Sequence, residues 1–82
     1  MSSKTFSTSD TAFAAYLLTS GIKLSHLDRT IPAEIAYIFK EPGNGIIGDL
    51  IFKWDTEAAE CNVVKFYKSY RYLLRKIREN NV

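Results

Sequence analysis

Asn62-Val63-Val64-Lys65-Phe66-Tyr67-Lys68-Ser69-Tyr70-Arg71-Tyr72-Leu73-Leu74-Arg75-Lys76-Ile77-Arg78 reads as one amphipathic helix. At about 100° per residue, Val63, Phe66, Tyr67, Tyr70, Leu73, Leu74 and Ile77 fall within an arc of about 120°. That arc is the expected core face. Asn62 is a suitable N-cap, and the helix is predicted over 62–80. Six cations, Lys65, Lys68, Arg71, Arg75, Lys76 and Arg78, take most of the remaining wheel, with Glu79 as the one acid. The rest of the chain holds five cations and eight acids. The formal net charge of +2 therefore divides into a helix of +5 and a body of −3. Such asymmetry predicts an electrostatic docking surface.

Working back from this helix, two strands form a hairpin. Ile22 to Asp28 is the first. Glu34 to Lys40 is the second, with Ile35, Tyr37 and Phe39 alternating with Ala36 and Ile38. Thr30-Ile31-Pro32-Ala33 is the expected connection. Pro42-Gly43-Asn44-Gly45 ends the second strand. Ile46, Ile47, Leu50, Ile51 and Trp54 then recur at helical spacing in a short helix. Near the N-terminus, Ser7-Thr8-Ser9-Asp10 reads as a helix start with a hydroxyl cap and an acid three residues later. Phe13, Ala14, Leu17 and Leu18 form the core stripe of that helix, flanked by Tyr16, and Gly21 stands where a left-handed residue closes it. Ala12, Ala14 and Ala15 allow close approach of another element. Residues 1–6 are expected to be a flexible arm, and Ala58 to Cys61 a third, short strand. The fold class is α+β: one small domain over 1–82 in the order α-β-β-α-(β)-α, a short antiparallel sheet covered by helices. Its expected core is Phe13, Leu17, Leu24, Tyr37, Phe39, Leu50, Ile51, Phe66, Tyr70, Leu73 and Ile77.

At 82 residues, 46% of them apolar and eleven aromatic, the chain can bury one small core without metal or disulfide. Cys61 is the single cysteine, so no internal disulfide can form. It is expected to be a small buried hydrophobe. The polar start lacks the apolar region of a signal peptide, and no apolar run approaches the roughly 20 residues of a membrane span. The expectation is a soluble protein of the cytoplasm with no membrane partner.

The stretch Ser7-Thr8-Ser9-Asp10-Thr11-Ala12-Phe13-Ala14-Ala15-Tyr16-Leu17-Leu18-Thr19-Ser20-Gly21 resembles the opening of a small family of domains of unknown function carried by phages and prophages. Its members begin with a similar S-T-x-D-x-A-x-A-A-Y-L-L-x-x-G signature. A hairpin ending in an aromatic-acidic segment follows, here Tyr37-Ile38-Phe39-Lys40-Glu41. They close with a helix rich in Arg, Leu and aromatics. The chain departs from the pattern at Cys61-Asn62-Val63, where a Val-Asp-Pro type start is usual. The resemblance implies a phage-type accessory protein of the host cytoplasm and transfers no catalytic residue.

Two constellations invite a chemical reading and fall short of it. Gly43-Asn44-Gly45-Ile46-Ile47-Gly48 matches G-x-G-x-x-G. A dinucleotide site needs a parallel strand–helix–strand unit and a distant acid, whereas this strand belongs to a hairpin. The expected role is a turn whose glycines supply positive φ. His26 and Asp28 share one strand face, and Ser25 or Cys61 could be added to them. One His and one Cys make no zinc site, and no nucleophile turn is present. Neither constellation predicts an enzyme, and no cofactor, metal or small-molecule substrate is expected.

The basic helix remains. Tyr72 is expected near the centre of the cationic arc, with Lys65, Lys68, Arg75 and Lys76 around it and Arg71 and Arg78 along one edge. Cations around an aromatic suit nucleic acid, phosphates meeting charge and a base stacking on the ring. They equally suit an acidic host protein, as an inhibitor or adaptor would require. The same face could be merely solvated, with Glu79 pairing to Arg75 and Lys76. A surplus of aromatics (Phe52, Trp54, Tyr67 and Tyr70) leaves a homodimer or structural module as the alternative of another class.

Overall fold

A computed structural model describes residues 4–30 and 34–79. The elements run β1 (Thr5–Thr8), α1 (Thr11–Thr19), β2 (Leu24–Asp28), β3 (Ala36–Lys40), α2 (Ile46–Asp55) and α3 (Val63–Glu79). The α+β class and the α-β-β-α-α run match the sequence reading. The third strand does not: it lies at the front of the chain, and Ala58 to Cys61 form no strand. The expected connection through Ile31, Pro32 and Ala33, and Asn80 of the last helix, lie outside the described residues, as do residues 1–3 of the arm.

The sheet order is β1-β3-β2, and both pairings are antiparallel. Phe6, Phe39 and Leu24 face one another across the three strands, as do Thr8, Tyr37 and Leu27. These residues form the covered face, with Tyr37 and Phe39 fully buried. The register places Ser7, Ile38 and His26 on the opposite face. A bulge between Leu24 and His26 adjusts the phase of β2. Thr5 and Phe6, expected in a loose arm, are held by pairing with Lys40 and Phe39. A lone apolar residue among hydroxyls carries almost no strand signal; the partner 33 residues away supplies what local sequence lacks.

That strand also displaces the expected hydroxyl cap. Asp10 is the N-cap of α1, and its Oδ1 accepts from the N–H groups of Ala12 and Phe13 at 3.0 and 3.2 Å. Five consecutive residues, Phe13 to Leu17, are buried. A helix apolar all round lies inside a fold, and α1 is the central element here. It covers the sheet on one side, where Thr11 Oγ1 meets the Tyr37 hydroxyl at 2.7 Å. On another it meets α3, where the Thr19 hydroxyl donates to Ser69 Oγ at 3.1 Å. Tyr16, expected as a flank, is 2% exposed because Trp54 of α2 stacks on it at 5.4 Å.

Gly21 closes α1 as expected, at φ +95°. Its N–H donates to the Leu18 carbonyl and that of Ile22 to the Leu17 carbonyl, each at 3.0 Å. This is the double bond pattern of a left-handed helix end, with Ile22 and Leu17 buried together beside it. An L side chain is strained at such an angle. Gly21→Ala should therefore cost about 1–2 kcal/mol, read as a lowered denaturation midpoint with an unchanged slope.

All eleven expected core residues join the core or pack against it. Ala14, Ala15, Tyr16, Ile22 and Ile47 are buried as well. The face of α3 is the larger correction. Only Phe66, Tyr70, Leu73 and Ile77 turn inward, a stripe of about 60°. Val63, Tyr67 and Leu74, expected on the core-facing arc, are exposed. The reason is that α3 packs on one partner, α1, and small side chains on α1 let it sit close along a narrow seam.

Candidate docking face

The narrow seam leaves most of the α3 wheel to solvent. Asn62 starts the helix as predicted, with Oδ1 accepting from the Lys65 N–H at 3.0 Å. At the other end Arg29, at the close of β2, donates from its guanidinium to the Ile77 carbonyl. A cation on the last carbonyls of a helix satisfies acceptors that have no partner within it and complements the negative end of the dipole. Sequence reasoning missed this contact, since nothing local links Arg29 to a residue 48 positions on. Both ends of α3 are thus fixed, and its cations stand on a rigid element.

The structure divides the seven predicted residues. Lys68, Arg71, Arg75 and Arg78 share one shallow depression of about 600 Å³ with Tyr67 and Leu74. Tyr67 is 57% exposed and Leu74 39% exposed. Arg71 donates to the Tyr67 hydroxyl at 2.8 Å, and its guanidinium carbon lies 5.7 Å from the ring centroid. The pair orients the ring and holds the charge beside it. Val63 and Val64 are exposed in the first turn of the same helix.

Tyr72 and Lys76 form a second group. Tyr72 is exposed, and the Lys76 ammonium lies 6.0 Å from its ring centroid. Lys76 also lines a cleft with Ser25, His26, Leu27 and Arg29, where the helix meets β2. Lys65 is exposed at the start of the helix. The aromatic at the centre of the main cationic group is accordingly Tyr67, with Tyr72 on the neighbouring arc. Tyr67 was missed because it was assigned to the core. The i, i+4 spacing of Tyr67 and Arg71 was the signal that could have found it.

The remaining candidates lie in turns, on the sheet and in a connection. Gly43 and Gly45 adopt φ of +85° and +77°, as the turn reading expects, and Asn44 Oδ1 accepts from the Ile46 N–H at 3.2 Å. His26 Nδ1 meets the Ser25 hydroxyl at 3.0 Å. Asp28 accepts from the Thr30 hydroxyl and N–H, and these bonds hold its carboxyl below the ordinary range, with a small contribution from His26. Cys61 is exposed, correcting the expectation of burial: it sits in the connection between α2 and α3, where Ala59 supplies the inward side chain. No group of three or more His, Cys, Asp or Glu among the described residues could hold a metal ion. No helix among them is long and apolar enough to cross a membrane.

Residues 3–79 match the model of a family described as a domain of unknown function (DUF5659). No curated protein and no solved structure matches the chain.

Proposed function

We propose that this chain, which belongs to the DUF5659 family, is a binding protein rather than an enzyme, and that α3 docks onto single-stranded nucleic acid. The observation that carries the reading is the depression on α3: four cations from consecutive turns around an exposed tyrosine fixed by Arg71. Phosphates spaced along a strand meet cations spaced along a helix, and an unpaired base can stack on Tyr67. Tyr72 with Lys76 extends the same chemistry round the helix. The reading includes phage or prophage carriage and action in the host cytoplasm, which the resemblance of the first helix implies.

A second reading has its own support. Val63, Val64 and Leu74 on α3 and Phe52 on α2, the last 68% exposed, add apolar surface that phosphates do not use. Such surface suits a protein interface, either an acidic host protein that handles nucleic acid, which the chain would inhibit or adapt, or a homodimer.

Fluorescence anisotropy of a labelled single-stranded oligonucleotide, titrated at several salt concentrations, separates the two. The expected result is binding whose logarithm falls linearly with the logarithm of salt. Tyr67→Ala should weaken single strands by about 1–3 kcal/mol and duplex by less. Tyr72→Ala should act in the same direction with a smaller effect. If no oligonucleotide binds at low salt while the chain retains a stoichiometric protein from nuclease-treated host lysate, the protein reading replaces the first.

A further inference from the structure

A groove of about 270 Å³ lies between β1, α1 and α2, apart from the α3 face. Phe6, Phe13 and Trp54 line it, one ring from each element. Phe6 meets Phe13 edge-on, at 74° and 6.1 Å between centroids, and Phe13 is tilted 59° to Trp54 at 5.5 Å. Phe13 is buried at the floor, 6% exposed, and the half-buried rings of Phe6 and Trp54 stand at steep angles to it. Thr8, Ile51, Asp10 and Asp55 complete the lining, and among the described residues no Lys, Arg or His takes part in it. Asp10 is held in place by the two N–H groups it caps. Asp55 is the last residue of α2, at the negative end of the helix dipole, where a further negative charge is unfavourable and a cation is wanted.

We propose that this groove binds a quaternary ammonium group. Aromatic faces and carboxylates both attract positive charge. A hydrated divalent cation would keep its water shell and gain nothing from the rings beside the two carboxylates. An alkylated ammonium needs no such shell and places its methyl groups against the rings. A primary ammonium is more strongly hydrated and loses more on entering an apolar groove. The proposal is independent of the reading of α3.

Trp54 is the only tryptophan of the chain, so its emission reports from the lining of this groove. Choline chloride titrated into the full chain should change the emission saturably, with a Kd of about 1 mM. Sodium chloride at matched ionic strength should give no saturable change. The neutral carbon isostere 3,3-dimethylbutan-1-ol should bind about tenfold more weakly, since it lacks the charge that rings and carboxylates recognise. Asp55→Asn should weaken choline about five- to tenfold in a chain that still unfolds cooperatively. A trimethyllysine peptide identifies the source: affinity above that of choline assigns the groove to a modified polypeptide, and equal or lower affinity to a free quaternary ammonium. A linear response to choline overturns the proposal. So does an isostere that binds as well as choline, a comparison made on the unmodified chain and so independent of whether the variant folds.

Discussion

Leu73→Ala will destabilise the protein by about 2–5 kcal/mol, while Leu74→Ala will cost about 0.5 kcal/mol or less. The two residues are adjacent and chemically identical, and their environments are opposite. Leu73 is fully buried between α3 and the central helix, and Leu74 is exposed beside the cations. Removing a fully buried isobutyl group loses its transfer free energy and leaves a cavity that close packing cannot collapse. A domain of this length has only a modest total margin, at roughly 0.05–0.15 kcal/mol per residue. Leu73→Ala should therefore lower the melting temperature by about 8 °C or more, at about 4–8 °C per kcal/mol. Equal melting temperatures for the two variants would mean that α3 is rotated relative to the described packing.

Reversing charge at Lys68 and Arg75 together will weaken single-stranded nucleic acid by at least about 100-fold. Both side chains border the Tyr67 depression, so each reversal removes a phosphate partner and adds repulsion at the same place. Neutralising each to Ala should lower the salt slope by about 0.7 for a single strand, so the two together by about 1.4. Neither residue supports the core, and the double variant should keep its circular dichroism and melting temperature. Retained binding and retained partners in a folded double variant would reduce this face to a solvated surface.

The parts of the fold that were legible in the sequence are those whose signal is local. The Glu34–Lys40 alternation, the glycine ending α1, the Asn62 cap and the helical spacing after Gly45 all follow from residues within a few positions of one another. The parts that were not legible depend on distance. Thr5-Phe6-Ser7-Thr8 becomes a strand because Phe39 and Tyr37 offer it a buried ladder. Arg29 finds the end of α3 only in three dimensions. The site was half legible for the same reason. Composition showed that the last helix is cationic and aromatic. How wide a stripe α3 buries depends on what packs against it, and one helical partner buries less than the 120° arc assumed. Tyr67 and Leu74 changed sides on that account.

The sheet order has a consequence for how the chain assembles. β2 and β3 are neighbours in sequence and can zip as a hairpin within microseconds. β1 is made before β2 and β3, and among the described residues its partner strand is β3, so on the ribosome it must wait until about 35 more residues have followed it out. Its pairing closes the longest strand-to-strand loop in the sheet, a cost met before any contact repays it. β1 should therefore be the last part of the sheet to form and the first to exchange its amide hydrogens, with Glu41, whose N–H donates to the Lys4 carbonyl, opening on one side while Lys40, bonded to the Lys23 carbonyl, holds on the other.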